Sequence, residues 1–218
     1  MEILIITDII GIIAFSLSGF LVGIRNRLDL LGIIISASLT ALGGGILRDA
    51  LLHRTPFAFN EYYPAITLLL TITIAFLFQS LRNEKIEHRW LFVISDTMGL
   101  VAFSTTGALL ALDAGYNLFG VIILSFLTAV GGGVTRDIMI NKVPAVLVTD
   151  FYGSIALIVA LLLALLHLFS LINPLTITLV ALVSVFLRLL AYKQKWVLPT
   201  LHHKSERFDD DHRHDDQH

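Results

Sequence analysis

The stretch "SLTALGGGILRD" runs from Ser38 to Asp49, and "SFLTAVGGGVTRD" runs from Ser125 to Asp137. Each sets three consecutive glycines and an Arg-Asp pair inside an apolar run. A glycine costs about 1 kcal/mol against alanine in a helix interior, so each triplet concedes roughly 3 kcal/mol of propensity. A chain that does this twice needs its backbone at those points for something that side chains would obstruct.

Working outward, the two stretches belong to a longer repeat. A shift of 88 positions carries Asp8 onto Asp96, Gly11 onto Gly99 and Ala14–Ser16 onto Ala102–Ser104. It also pairs Gly19 with Gly107, Gly32 with Gly120 and Thr40-Ala41 with Thr128-Ala129. Gly43–Gly45 then falls on Gly131–Gly133, Arg48-Asp49 on Arg136-Asp137, and Pro56 on Pro144. About 20 of some 52 positions match without a gap, far above chance even for a biased composition.

The solvent for this repeat is lipid. Of 218 residues 56% are hydrophobic and only 15% charged, and the mean hydropathy is +0.83. Seven apolar runs are each close to the roughly 20 residues that span a bilayer as a helix. They are Ile3–Ile24, Leu30–Leu52, Pro64–Leu81, Trp90–Leu112, Leu118–Ile140, Phe151–Leu171 and Pro174–Ala191. Pro64 and Pro174 fall at first-turn positions, where a missing N–H does no harm. The first run carries Asp8 and Gly11 and lacks a small-residue cleavage site, which argues against a removed signal peptide. Cysteine is absent, so no disulfide, thiolate nucleophile or cysteine metal site is available. The charge pattern gives no support for nucleic-acid binding.

With seven spans, Arg25, Arg27, Arg82, Lys85, Arg89, Lys142, Lys193 and Lys195 flank one side, and the other offers little more than Arg54. The positive-inside bias places the C-terminus in the cytoplasm and the N-terminus outside. The His- and Asp-rich tail, residues 199–218, is polar and unperiodic, and it is expected to be a disordered, cytoplasmic, solvated segment. The chain therefore divides into a seven-helix, all-α transmembrane domain over 1–192 and this tail. Repeat 1 covers about 3–81 and repeat 2 about 90–171, with an extra helix at 174–191. Each repeat holds three spans, an odd number, so the second sits upside down relative to the first. Such inverted repeats build many transport proteins, with the working site near the midplane between the copies.

Two readings of the glycine triplets stay open. Broken helix is tolerated in a membrane only where it is buried in protein or lines a watery cavity, so the triplets suggest kinked helices with loosened carbonyls aimed at a polar path. The other reading is close helix packing. Hydroxyls cluster on the same spans, and the repeat-matched Ser16/Ser104 and Thr40/Thr128 are candidate path-lining residues; back-bonding to the i−4 carbonyl is their plainer role. Ionisable groups in spans normally face the bundle interior or water. Adjacent residues on a helix point about 100° apart, so Arg48 and Arg136 are expected to meet residues on other helices rather than Asp49 and Asp137. These pairs act either as structural ties or as a charge gate. Asp8 and Asp96 are candidate N-terminal caps or cation-attracting mouths, with capping favoured for Asp96. His167 stands alone and is not read as a ligand. No HExxH, nucleophile elbow or paired catalytic carboxylate set is present, so the chain is not read as an enzyme.

Twin "GGG-x-x-RD" motifs in the second and fifth spans, within a three-plus-three inverted repeat, resemble the prokaryotic trimeric intracellular cation channel (TRIC) family. That family is also labelled a glycine transporter domain. The resemblance covers roughly residues 3–192. It implies a homotrimer among membrane lipids of the bacterial or archaeal cell membrane, each protomer with its own pore for potassium and also sodium. No cofactor or metal is implied beyond the permeant ion. It further implies that Gly43–Gly45 and Gly131–Gly133 shape the pore, with hydroxyls from the first and fourth spans nearby. A carrier of glycine or a similar small zwitterion is the alternative. A TVGYG filter is absent, so weak discrimination between potassium and sodium is expected.

Overall fold

A computed structural model describes residues 2–81, 88–148 and 151–196. The long helices are α1 (Glu2–Arg25), α2 (Leu30–Leu51), α4 (Tyr63–Leu81), α5 (His88–Asp113), α6 (Leu118–Met139), α8 (Tyr152–Leu168) and α9 (Pro174–Gln194). Two single-turn helices, α3 (Phe57–Asn60) and α7 (Ala145–Val148), follow α2 and α6. Among the described residues, five helices (α1, α2, α5, α6 and α9) are long and apolar enough to cross a membrane, while Tyr63–Gln79 and Tyr152–Leu168 form shorter apolar helices. The 199–218 tail, Arg82 and Lys85 lie outside the described residues, as does the side chain of Arg89.

Local signals set the helix starts. Asp29 accepts from the Gly32 amide at 2.7 Å, and its repeat mate Asn117 accepts from Gly120 at 2.9 Å. These side chains satisfy amides that a helix leaves unpaired at its first turn. Asn173 and Thr176 close a capping box at the head of α9, with Pro174 just inside.

Burial is inverted relative to a water-soluble protein. Leu70, Phe78, Leu182 and Phe186 face outward, whereas Asp8, Arg48, Asp49, Asp96, Arg136, Asp137 and Arg188 are buried. An apolar exterior needs an apolar solvent, and most of the polar groups inside are satisfied against one another. The chain is an all-helical integral membrane protein.

Close approaches between repeat mates fix their directions. A Cβ on Gly44 would strike the Thr128 carbonyl oxygen, and one on Gly132 would strike the Thr40 carbonyl oxygen. As α2 advances from Thr40 to Gly44, α6 recedes from Gly132 to Thr128, so the two helices cross antiparallel. A Cβ on Gly11 would meet Phe103 at 3.3 Å, one on Gly99 would strike Phe15, and Ser18 reaches Asp96, so α1 and α5 are antiparallel as well. The reciprocity is that of a two-fold relation between the copies.

Both glycine triplets lie within unbroken α-helix, Leu30–Leu51 and Leu118–Met139. The expectation of loosened, unwound backbone there is corrected: the missing side chains admit a neighbouring backbone without breaking the ladder. Capping by Asp8 and Asp96 is corrected too, because α1 begins at Glu2 and α5 at His88, well before either carboxylate.

Candidate permeation site

The antiparallel crossing of α2 and α6 has a charged cluster beyond each end. Arg48 and Arg136 each lie four residues past the central glycine of their triplet, on helices running opposite ways, so the crossing separates them.

In the first cluster Arg48 is fully buried. Its Nη1 donates to Asp8 Oδ1 on α1 at 3.0 Å and to Thr106 Oγ1 on α5 at 3.1 Å. Its Nε donates to its own neighbour, Asp49 Oδ1, at 2.9 Å. Arg48 thus meets residues on two other helices, as expected, and holds its own neighbour as well, which was not expected: a long side chain bends back far enough to reach both carboxylates. Asp49 Oδ2 accepts from the Phe57 amide at 2.8 Å, fastening the first turn of α3. Phe57 lies under the guanidinium, its ring centre 5.1 Å from Cζ, and it would be struck by a Cβ on Gly45. Tyr63 at the head of α4 joins Asp8 Oδ2 at 3.3 Å.

The second cluster repeats part of this plan. Arg136 Nε donates to Asp137 Oδ1 at 2.9 Å, and Asp137 Oδ2 accepts from the Ala145 amide at 3.0 Å at the start of α7. Arg136 Nη1 stands 3.5 Å from Thr40 Oγ1 on α2. Asp96 accepts from Ser18 Oγ on α1 at 3.0 Å. Ser18 and Thr106 are repeat mates, so each cluster takes a hydroxyl from the opposite copy, and the second takes that of Thr40 as well. Along α1, Asp8 and Ser18 are ten residues apart, which separates the clusters by about 15 Å.

The predicted hydroxyls lie between the clusters, all buried. Thr40 donates to Ser36 O and Thr128 to Leu124 O, both at 2.6 Å, and Ser104 donates to Val101 O at 3.0 Å. These are the plainer back-bonding roles. Ser16 Oγ has no hydrogen-bond partner among the described residues. Ser36 and Ser125, two more of the hydroxyls on these spans, instead tie helices together: Ser36 donates to Gly19 O at 2.7 Å and Ser125 to Ser104 O at 2.8 Å. His167 is exposed, and no group of three or more potential metal ligands occurs among the described residues.

Tyr63, Tyr152 and Arg188 were missed. Tyr63 and Tyr152 are 89 positions apart rather than 88, because the connector from α7 to α8 is one residue longer than that from α3 to α4. A comparison allowing one gap would have paired them. Arg188 is the sole charged residue between Pro174 and Ala191, a signal in plain view. A groove of about 580 Å³ between α1 and α4, lined by Ile13, Leu17, Phe20, Leu70, Ile74 and Phe78 among others, is apolar and shares no residue with either cluster.

A family model described as glycine transporter matches residues 5–80 and 93–168, one match on each repeat. The chain belongs to this glycine transporter (TRIC/UPF0126) family. Among family members, a membrane protein of Deinococcus radiodurans is 41% identical over 142 residues, 64% of this chain and 64% of that relative. The YvgT membrane protein of Bacillus subtilis is 39% identical over 147 residues, 67% of this chain and 72% of the relative. The fold is similar to that of a TRIC cation channel solved to explain conductance, at 35% identity and TM-score 0.80, over 92% of this chain and 98% of the other. It is also similar to a prokaryotic TRIC channel crystallised in 0.5 M KCl, at 31% identity and TM-score 0.79, over 90% and 99% of the two chains. For the orthologue from Rhodobacter sphaeroides the identity is 26% and the TM-score 0.81, over 90% and 100%.

Proposed function

We propose that the chain is a monovalent cation channel, passing potassium and also sodium, that works as a homotrimer with one path per protomer. The path runs among α1, α2, α5 and α6, between the Asp8–Arg48–Asp49 and Asp96–Arg136–Asp137 clusters, with α2 and α6 crossing at its waist. The observation that carries this reading is the buried cluster of ionisable side chains at each end of an antiparallel crossing. Buried charge in a membrane protein normally lines an ion pathway or a relay. Similarity to cation channels over nine-tenths of both chains supports it.

All seven long helices span the bilayer in this reading, the two shorter ones by fitting a thinner or tilted section. Trp90 packs on Tyr192 and Phe151 on Trp196, gathering aromatic rings near Lys193 and Lys195, as at a membrane interface. That end faces the cytoplasm, and the N-terminus lies outside. Each arginine, held by its carboxylates, closes its end to cations and admits them when drawn aside. Hydroxyls and carbonyls suit a partly hydrated monovalent ion, and discrimination between potassium and sodium is weak.

Purified protein in a planar bilayer under a KCl gradient tests this. Discrete single-channel steps reversing near the potassium potential are expected. Silence together with saturable glycine uptake into proteoliposomes would replace the channel with a carrier, the activity that the family's other label describes.

A further inference from the structure

The charges at the Asp8 end continue past the buried cluster to the surface. Asp8 Oδ1 pairs with Arg48 Nη1 at 3.0 Å, Arg48 Nε with Asp49 Oδ1 at 2.9 Å, and the same Asp49 Oδ1 with Arg54 Nε at 3.3 Å. Negative and positive groups thus alternate over four side chains. The Arg54 side chain is 46% exposed, whereas those of Arg48 and Asp49 are fully buried and that of Asp8 nearly so. Arg54 is the charged member of the row that water reaches. The turn that delivers it is built into the end of α2. His53 has a φ of 55° and donates its amide to Ala50 O at 3.1 Å, while the Arg54 amide donates to Asp49 O at 3.0 Å. This ending folds the residue after the left-handed position back against the last helical turn. The repeat copies it at the end of α6, where Asn141 has a φ of 56° and the Lys142 amide donates to Asp137 O at 2.8 Å. Lys142 is the repeat mate of Arg54, yet among the described residues it forms no ion pair with Asp137 or any other carboxylate.

We propose that Arg54, sharing one oxygen of Asp49 with Arg48, is the positioning residue that keeps Arg48 extended to Asp8 and Thr106 and so keeps that end of the path closed. The inference rests on the channel reading above, in which Arg48 bars cations until it is drawn aside. Drawing it aside means taking Nη1 off Asp8 on α1 and Thr106 on α5 and gathering the guanidinium onto its own neighbour, Asp49. Arg54 opposes that movement, because a second guanidinium already sits on Asp49 Oδ1 and like charges brought together repel. Removing Arg54 frees Asp49 for Arg48 alone and favours the retracted, open arrangement. A half-exposed pair also weakens as salt rises, whereas the buried pairs behind it are screened much less. Opening at the Asp8 end therefore senses ionic strength through Arg54, and the Asp96 end, where Lys142 holds no carboxylate, has no such device.

The test reads open probability from single channels in symmetric KCl at about 0.1 M and about 1 M, between which the Debye length falls from about 10 Å to about 3 Å. At the lower salt Arg54→Gln should open severalfold more often than wild type, and Lys142→Gln should match wild type. Wild type should climb towards Arg54→Gln as salt rises, while Arg54→Gln itself changes little. The chain has no cysteine, so Arg54→Cys offers a single thiol. A methanethiosulfonate carrying a quaternary ammonium should return that variant towards the wild-type open probability, and one carrying a sulfonate should not. An Arg54→Gln channel that opens no more than wild type, an equal gain in Lys142→Gln, or equal effects of the two reagents would overturn the proposal. A second comparison places Arg54→Gln on Asp8→Asn, where Arg48 has already lost the carboxylate it reaches for. The gain should shrink there, and a gain as large as in the wild-type background would show that Arg54 acts on something other than Arg48. A silent wild type would remove the channel reading and this inference together, whereas a conducting wild type with an unaltered Arg54→Gln removes this inference alone.

Discussion

At the scale of single residues, glycines three positions into a motif are not interchangeable. A methyl at Gly132 would occupy the place of the Thr40 carbonyl oxygen, whereas one at Gly133 meets nothing nearer than Arg136 Nη2 at 3.8 Å. Gly133→Ala should therefore be neutral or gain up to about 1 kcal/mol of helix propensity. Gly132→Ala must push two backbones apart and should lose about 1–3 kcal/mol despite the same gain in propensity. Unfolding in detergent followed by tryptophan fluorescence separates the two, and equal melting would mean that the crossing does not set the glycine requirement. The sequence showed that these glycines mattered, since three in a row inside a span demand a reason. It could not show which was in contact, because that depends on the facing helix, which only the fold supplies.

At the scale of elements, Asp49 and Asp137 act as fasteners for the single-turn helices that hydropathy overlooks. Four residues are too few to register as an apolar run, and α3 and α7 exist because a carboxylate from the preceding helix holds their first amide. Asp49 is the busier, serving Arg48, Arg54 and Phe57, while Asp137 serves Arg136 and Ala145. Removing one partner of a buried pair typically costs about 3–5 kcal/mol. Asp49→Asn should approach that range and exceed Asp137→Asn, with faster amide exchange at Phe57 as the local sign. Exchange at Phe57 that matches wild type would show that α3 is held by something else. The repeat, its direction and the charged pairs were legible because one ungapped shift aligns them. Tyr152 was hidden by a single extra residue, and Arg188 by lying outside the repeat altogether.

At the scale of the whole molecule, the expected assembly is three protomers, so light scattering with the detergent contribution subtracted should give three times the 24.1 kDa of one chain. A protomer-sized mass would leave the path intact and remove the trimer. The pairing of Arg48 with Asp49, and of Arg136 with Asp137, has a bearing on biogenesis as well. A ribosome delivers these helices one at a time, and a charge entering hydrocarbon without a partner is penalised by about 2.5–3.5 kcal/mol near a helix centre. An arginine that can fold back on the very next residue reaches the translocon as a ready-made neutral dipole. It needs no other helix to be present yet. Asp8 has by then been synthesised and awaits Arg48, whereas Asp96 enters with Ser18 already in place and precedes the Arg136-Asp137 pair. The order of synthesis thus brings the carboxylates and arginine of the first cluster together on α1 and α2, and gathers those of the second only with α6.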